Sequence, residues 1–184
     1  MYQALQTNRT GGGMERASDD ALAGLSTDER VRACLAMVSD GTTASHDDIQ
    51  GLSGDLIRQV DDDQPAPLPF AYRCFLEHAG AGAGRFLQGC DVFHPDVLGL
   101  RRAADELLAG RGLTLTDADR VILMHQGVQF DFLRGDGEDP EVWSYCEDDT
   151  APALRHARFT DWLFANVREQ THAWAHLAHW PKIS

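Results

Sequence analysis

Apolar and polar residues alternate along Val128–Leu133: Val128, Phe130 and Phe132 stand opposite Gln129 and Asp131. A period of two predicts a β-strand with one apolar and one polar face. Upstream, Val121-Ile122-Leu123-Met124-His125 is a second strand-like run, broken at Gln126-Gly127. Downstream, Val142–Cys146 alternates again, with Trp143 and Tyr145 on one face. The stretch Arg134-Gly135-Asp136-Gly137-Glu138-Asp139-Pro140 between them is turn material, since Gly supplies positive φ and Pro blocks continued pairing. Loops this short cannot make parallel crossovers, so an antiparallel three-stranded meander is predicted over about 119–146. On this reading Trp143 is a core residue whose truncation costs roughly 3–5 kcal/mol.

Elsewhere the period is helical. Ser26-Thr27-Asp28-Glu29 offers an N-cap and early acids ahead of Val31, Leu35 and Val38, with Gly41-Thr42-Thr43 as the stop. Ser45-x-x-Asp48 reads as a capping box opening a second helix, whose stripe is Ile49, Leu52, Leu56, Ile57 and Val60. Asp61-Asp62-Asp63 leads into Pro65, Pro67 and Pro69; adjacent aspartates repel, so a solvated linker is expected there and not a metal cluster. Pro69 suits the first turn of a third helix that buries Phe70, Tyr72, Cys74, Phe75 and Leu76 and stops at Gly80. The glycines at 80, 82 and 84 follow a helix and lack the G-x-G-x-x-G spacing, which marks a helix end and loop and not a dinucleotide site.

Phe86-Leu87 is expected in a short strand or connector, and His94-Pro95-Asp96 to begin a helix reaching Gly110 through Leu98, Leu100, Ala104, Leu107 and Leu108. Leu113–Asp119 is a loop, and Glu147-Asp148-Asp149 leaves the sheet. A last helix is expected from Thr160-Asp161 to about His179. Leu163, Val167, Gln170, Trp174 and Leu177 share its inner face, and Glu169, His172, His176 and His179 its outer one. Residues 1–25 show little periodicity and are expected to be a flexible tail, with Met14 an alternative start, ahead of a single domain over 26–184. The fold class is α+β: an antiparallel meander packed with flanking helices.

Charge narrows the functional classes. Sixteen Lys plus Arg, of which only Lys182 is a lysine, stand against 29 Asp plus Glu, a net charge of −13. Such a surface repels phosphates, which argues against nucleic acid and suits either solubility or a basic protein partner. No apolar run approaches the ~20 residues of a membrane span, and the first residues carry no signal-peptide pattern, so a soluble cytoplasmic protein is expected.

Candidate chemistry is sparse. Cys34, Cys74, Cys90 and Cys146 form no C-x-x-C and read as reduced thiols acting as small hydrophobes. Histidines spaced along one face of the last helix can ligate zinc, but no closed ligand set accompanies them, and a solvent-exposed stripe is the expectation. His125, at a strand end, sits where a general base could stand, with Asp131, Glu138 and Asp139 in the following stretch. No G-x-S-x-G, P-loop, H-E-x-x-H, calcium-loop or Cys–His signature joins them. No catalytic residue, metal or cofactor is therefore assigned. The exposed acids of the loops, Asp136, Glu138, Asp139, Glu147, Asp148 and Asp149, are the candidate partner-binding residues.

Four blocks resemble a known family. They are Leu68-Pro69-x-x-Tyr72-x-x-Phe75-Leu76 followed by glycines, the run HQGVQFDF at 125–132, Asp139-Pro140-Glu141-Val142-Trp143-x-Tyr145, and Arg158-Phe159-Thr160-Asp161-Trp162-Leu163. In this order they resemble the SUKH superfamily, in particular its Smi/Knr-like branch. The resemblance implies a non-enzymatic α+β domain, and for many members a bacterial immunity protein that neutralises a toxin, here a basic one and in many systems a nuclease. It also leaves open the intracellular scaffold or regulator role of the fungal relatives, which carry long extra disordered regions. A small hydrolase is the third reading.

Overall fold

The computed structural model describes residues 21–40 and 44–178. Most of the expected tail, the glycine–threonine stop at 41–43 and His179 lie outside them, as do the side chains of Trp174, His176 and Leu177. Among the described residues there are five α-helices: α1 (Thr27–Asp40), α2 (Gly54–Asp62), α3 (Phe70–Ala79), α4 (Leu100–Ala109) and α5 (Phe159–Ala178). Seven strands accompany them: β1 (Ile49–Gln50), β2 (Gly82–Ala83), β3 (Cys90–Asp91), β4 (Arg120–His125), β5 (Gln129–Arg134), β6 (Glu141–Cys146) and β7 (Ala153–His156). Strands β3-β4-β5-β6-β7 form one antiparallel sheet in chain order, and β1 pairs with β2 apart from it. The fold is α+β with a meander at its centre. No described helix is long and apolar enough to cross a membrane.

The predicted three strands are the middle of this sheet. The β4–β5 turn has both central residues at positive φ, Gln126 at 52° and Gly127 at 72°, and closes with Val128 N–H donating to His125 O at 3.2 Å. That backbone twist matches the flanking strands. Phe130 faces Tyr145 and Phe132 faces Trp143 across β5–β6, as the alternation requires. The sheet is wider than expected, because the chain after the acidic loop at 147–149 turns back as β7 instead of leaving the sheet.

Both faces of the sheet are covered. Phe130, Phe132 and Tyr145 on one face are fully buried, and so are Leu133 and Val142 on the other. Helix α5 covers the second face, where Trp162 Nε1–H donates to Asp131 Oδ2 at 2.9 Å. Its first turn joins an aromatic cluster with α3: Phe159 stacks on Trp162 with centroids 5.4 Å apart and meets Tyr72 edge-on at 5.6 Å. Helix α1 closes over this cluster through Arg30, which is buried and donates to Thr160 Oγ1 at 2.9 Å and to Asp161 Oδ1 at 2.8 Å. Arg30 also reaches Leu22 O, and Leu22 is buried, so this part of the expected tail packs against the domain.

The polar face of β5 is thus partly covered, with Gln129 and Asp131 half-buried and Asp131 packed under Trp162. Burial pushes its carboxyl above the ordinary 3.8, against hydrogen bonds from Ser144 and Trp162 and the charge of Arg155. A carboxyl bound more tightly to its proton in the folded state loses stability as pH rises from the unfolded value through the folded one. Asp131→Asn keeps the acceptor for Trp162 and removes the partly desolvated charge. It is expected to be at least as stable as wild type at neutral pH, by up to ~1 kcal/mol, and to flatten the pH dependence just above pH 3.8. Urea titrations at two pH values check this; a large loss at neutral pH contradicts it.

Several local expectations are corrected by what the side chains touch. Ser45 and Asp48 do cap each other, with Ser45 N–H donating to Asp48 Oδ2 at 2.9 Å, but they close a single 3-10 turn, and α2 starts at Gly54. Asp61 accepts from Leu68 N–H at 2.7 Å and from Arg73 at 2.7 Å, and Asp63 accepts from Gly99 N–H at 2.8 Å. The aspartate run therefore ties segments together. Gly99, at φ 81°, precedes α4, so the helix begins at Leu100 and not at His94.

Trp143 is half-buried, not core. Its Nε1–H donates to Glu141 Oε2 at 2.9 Å, and the Arg134 guanidinium lies 4.6 Å from its ring centre. Trp143→Ala is accordingly expected to cost about 1–2 kcal/mol, from partial burial and one cation–π contact, below the range for a core tryptophan. A denaturant midpoint measurement decides between the two.

Candidate functional site, an acidic groove beside an exposed phenylalanine

A groove of about 350 Å³ opens where the loop after β5 meets the start of α3, lined by Pro67, Leu68, Pro69, Phe70, Arg120, Asp136, Gly137 and Glu138. One side comes from the proline-spaced entry to α3. Two prolines hold the backbone extended, and Pro69 is the N-cap at φ −62°, ψ 154°. The helix then buries Ala71, Tyr72, Cys74, Phe75 and Leu76. Phe70, expected among them, is 48% exposed. It shares Cys74's side of the helix but lies a turn earlier, at the rim of the groove.

The other wall is the glycine-bearing loop. Gly135 at φ 103° sets its turn, a conformation that side chains other than hydrogen rarely adopt. Arg120 holds the two walls together from beneath. Its Nε–H donates to Pro67 O at 3.0 Å, and Nη1 donates to Gly135 O at 2.9 Å and Ala118 O at 2.7 Å. Ala71 N–H, unsatisfied within its own first helical turn, donates to Glu138 O at 2.8 Å. The groove is fixed by backbone bonds on both sides and does not rest on surface side chains.

Electrostatics follow from which charges are already spent. Asp119 is fully buried; burial alone would raise its carboxyl, but two bonds from Arg134, at 2.8 and 2.7 Å, and one from Thr116 N–H hold it below the ordinary value. Arg120 is engaged by three carbonyls, and its nearest carboxylate oxygen, on Asp136, lies 3.7 Å away. The Asp136 side chain is 91% exposed, and Glu138 and Glu141 are exposed as well. The groove mouth therefore carries excess negative charge beside an aromatic face.

The six predicted acids do not form one patch. Asp136 and Glu138 line the groove. Asp139 faces inward and caps α5, accepting from Thr160 N–H at 2.9 Å and Thr160 Oγ1 at 2.6 Å. Burial raises its carboxyl, with the Thr160 bonds pulling the other way. Glu147, Asp148 and Asp149 lie beyond the other end of β6, about 17 Å away at strand rise. There Asp149 Oδ2 accepts from Cys146 N–H at 3.0 Å and closes its own turn, while Asp148 is exposed.

Phe70, Pro67 and Arg120 were absent from the sequence-derived site. The proline spacing before α3 was a visible signal, but Arg120 stands 53 residues from Pro67, whose carbonyl it holds. His125 Nδ1 donates to Gly89 O at 3.1 Å, at the far end of the sheet from the groove. Among the described residues, no three His, Cys, Asp or Glu side chains converge well enough to hold a metal ion.

No known family's sequence profile matches this chain, and comparison with curated proteins finds no match. The resemblance to the SUKH superfamily therefore rests on the sequence blocks themselves. Two of them build this site: the Leu68–Leu76 block supplies one wall, and the block from Asp139 follows directly on the other.

Proposed function

We propose that this chain is a non-enzymatic protein-binding domain that captures a basic protein in the groove between Pro67–Phe70 and Asp136–Glu138. The observation that carries this reading is the pairing of a half-exposed phenylalanine with exposed carboxylates, more of them than the one Arg120 guanidinium beneath can offset, on a rigid frame. An arginine or lysine laid along Phe70 meets Asp136 with its charge and the ring with its apolar stem. The net charge of −13 steers such a partner and repels nucleic acid. Taken with the SUKH-like blocks, the partner is a bacterial toxin domain and the protein its immunity factor, acting in the cytoplasm. The scaffold or regulator role is the second reading, favoured only by the Smi/Knr likeness.

Co-expression with the toxin domain encoded beside this gene tests the proposal. Cells are expected to survive with the wild-type chain, and the two proteins to co-elute on size exclusion. Equal killing with and without this protein, and no complex, would leave the regulator reading.

A further inference from the structure

We propose that Cys90 and His125 form a nucleophilic thiol–imidazole pair at which a small-molecule disulfide couples covalently to the protein. The two residues are 35 apart in sequence, so no local motif announces them. Pairing of β3 with β4 sets Cys90 directly opposite His125, which puts both side chains on one face of the sheet. Cys90 Sγ lies 3.5 Å from His125 Nδ1, and the same nitrogen lies 3.1 Å from Gly89 O. A carbonyl oxygen only accepts, so Nδ1 carries the proton and presents that N–H to the sulfur as well. A thiolate accepts such a bond better than a thiol does, so this N–H is placed to stabilise the sulfur as it attacks. Both side chains are half-exposed, within reach of a small reagent.

The backbone delivers Cys90 to this position. Leu87 is buried in a left-handed conformation at φ 55°, unusual for a branched side chain. Its N–H donates to Gln170 Oε1 on α5 at 2.7 Å, and its carbonyl accepts from Cys90 N–H at 3.1 Å. The loop ahead of the thiol is thus held by the last helix. The other cysteines lack this setting. Burial pushes Cys34 up to about 12 and Cys74 up to about 11.

Cys146 is half-exposed and shares the same cross-strand row, reached from Cys90 through His125 and Gln129. Three strand spacings, roughly 14 Å, separate the two cysteines, too far for a disulfide between them. In the reaction the Cys90 thiolate attacks one sulfur of R–S–S–R. A new S–S bond forms as the old one breaks, and RS⁻ departs with the electron pair and takes a proton from water. The Cys90 sulfur is oxidised and the departing sulfur reduced. With no neighbouring thiol to displace it, the adduct persists, at the end of the sheet away from the groove.

The test is incubation of the intact protein with glutathione disulfide at neutral pH, followed by peptide mass mapping without reduction. Cys90 is expected to acquire the adduct about tenfold faster than Cys146, which serves as the internal reference. His125→Gln, which keeps a donor for Gly89 O but removes the imidazole, is expected to bring Cys90 down to the Cys146 rate at an unchanged melting temperature. A wild-type Cys90 no faster than Cys146, or full Cys90 reactivity retained in a folded His125→Gln, overturns the proposal. Should that variant not fold, the wild-type ratio alone decides.

Discussion

Gly51→Ala is expected to destabilise the protein by about 3 kcal/mol or more, through overpacking against backbone and the loss of hydrogen bonds beside it. A Cβ at this position would lie inside van der Waals contact with the Glu77 carbonyl oxygen, and 2.7 Å from its carbon. Neither atom can swing aside, because Glu77 sits in the last turn of α3. The segment is held there from both sides: Leu52 N–H donates to Leu76 O at 2.9 Å, and Ala81 N–H donates to Gln50 O at 2.8 Å. The first gives the Leu76 carbonyl a second donor beside Gly80 N–H, which reaches it at 3.0 Å, and the second ties β1 to the chain leaving α3. An alanine must push the segment away and break them. Gly54→Ala is the control. Nothing lies within 4 Å of a Cβ built there, and α2 starts at that residue, so a gain of roughly 0.5–1 kcal/mol is expected. Urea denaturation of the two variants reads both effects, and equal midpoints would contradict the account of Gly51.

Phe70→Ala is expected to weaken partner binding by at least ~2 kcal/mol, about thirtyfold, while leaving the melting temperature nearly unchanged. The ring is 48% exposed and is absent from the aromatic contacts that join Tyr72, Phe75 and Phe159. Its area is available to a partner and contributes little to the core. Isothermal titration with the toxin domain, alongside a thermal melt, separates the two roles. Unchanged affinity with a lowered melting temperature would make Phe70 a structural residue.

Local order was legible in the chain. The alternation at 128–133 and 142–146 placed the meander, and the stripe Leu163/Val167 placed α5, because these elements advertise their burial with a simple period. What stayed hidden depends on distant pairing. Strand β3 is two residues and β7 four, too short to show a period, and each exists through its neighbour. Asp131 looked like a solvent-facing residue because alternation reports two faces without saying that both are covered. The acids at 136–149 looked alike in sequence, yet Thr160 engages Asp139 from 21 residues away, and β6 separates the remainder into two groups. Gly51 carried no signal at all, since its role is the absence of an atom.

The groove as the binding surface is most directly tested by two charge-reversal variants measured side by side against the same toxin domain. One carries Asp136→Lys and Glu138→Lys; the other carries Glu147→Lys, Asp148→Lys and Asp149→Lys. Both sets are largely surface residues, and exposed charges contribute little to stability, so both proteins are expected to fold. At ~0.1 M salt, where the Debye length is ~10 Å, reversal in the groove is expected to slow association and lower affinity at least about tenfold. Reversal of the far loop, beyond the screening distance from the groove, is expected to change affinity by less than about threefold. Loss of binding on reversing the far loop, with the groove variant binding as wild type does, would contradict the assignment.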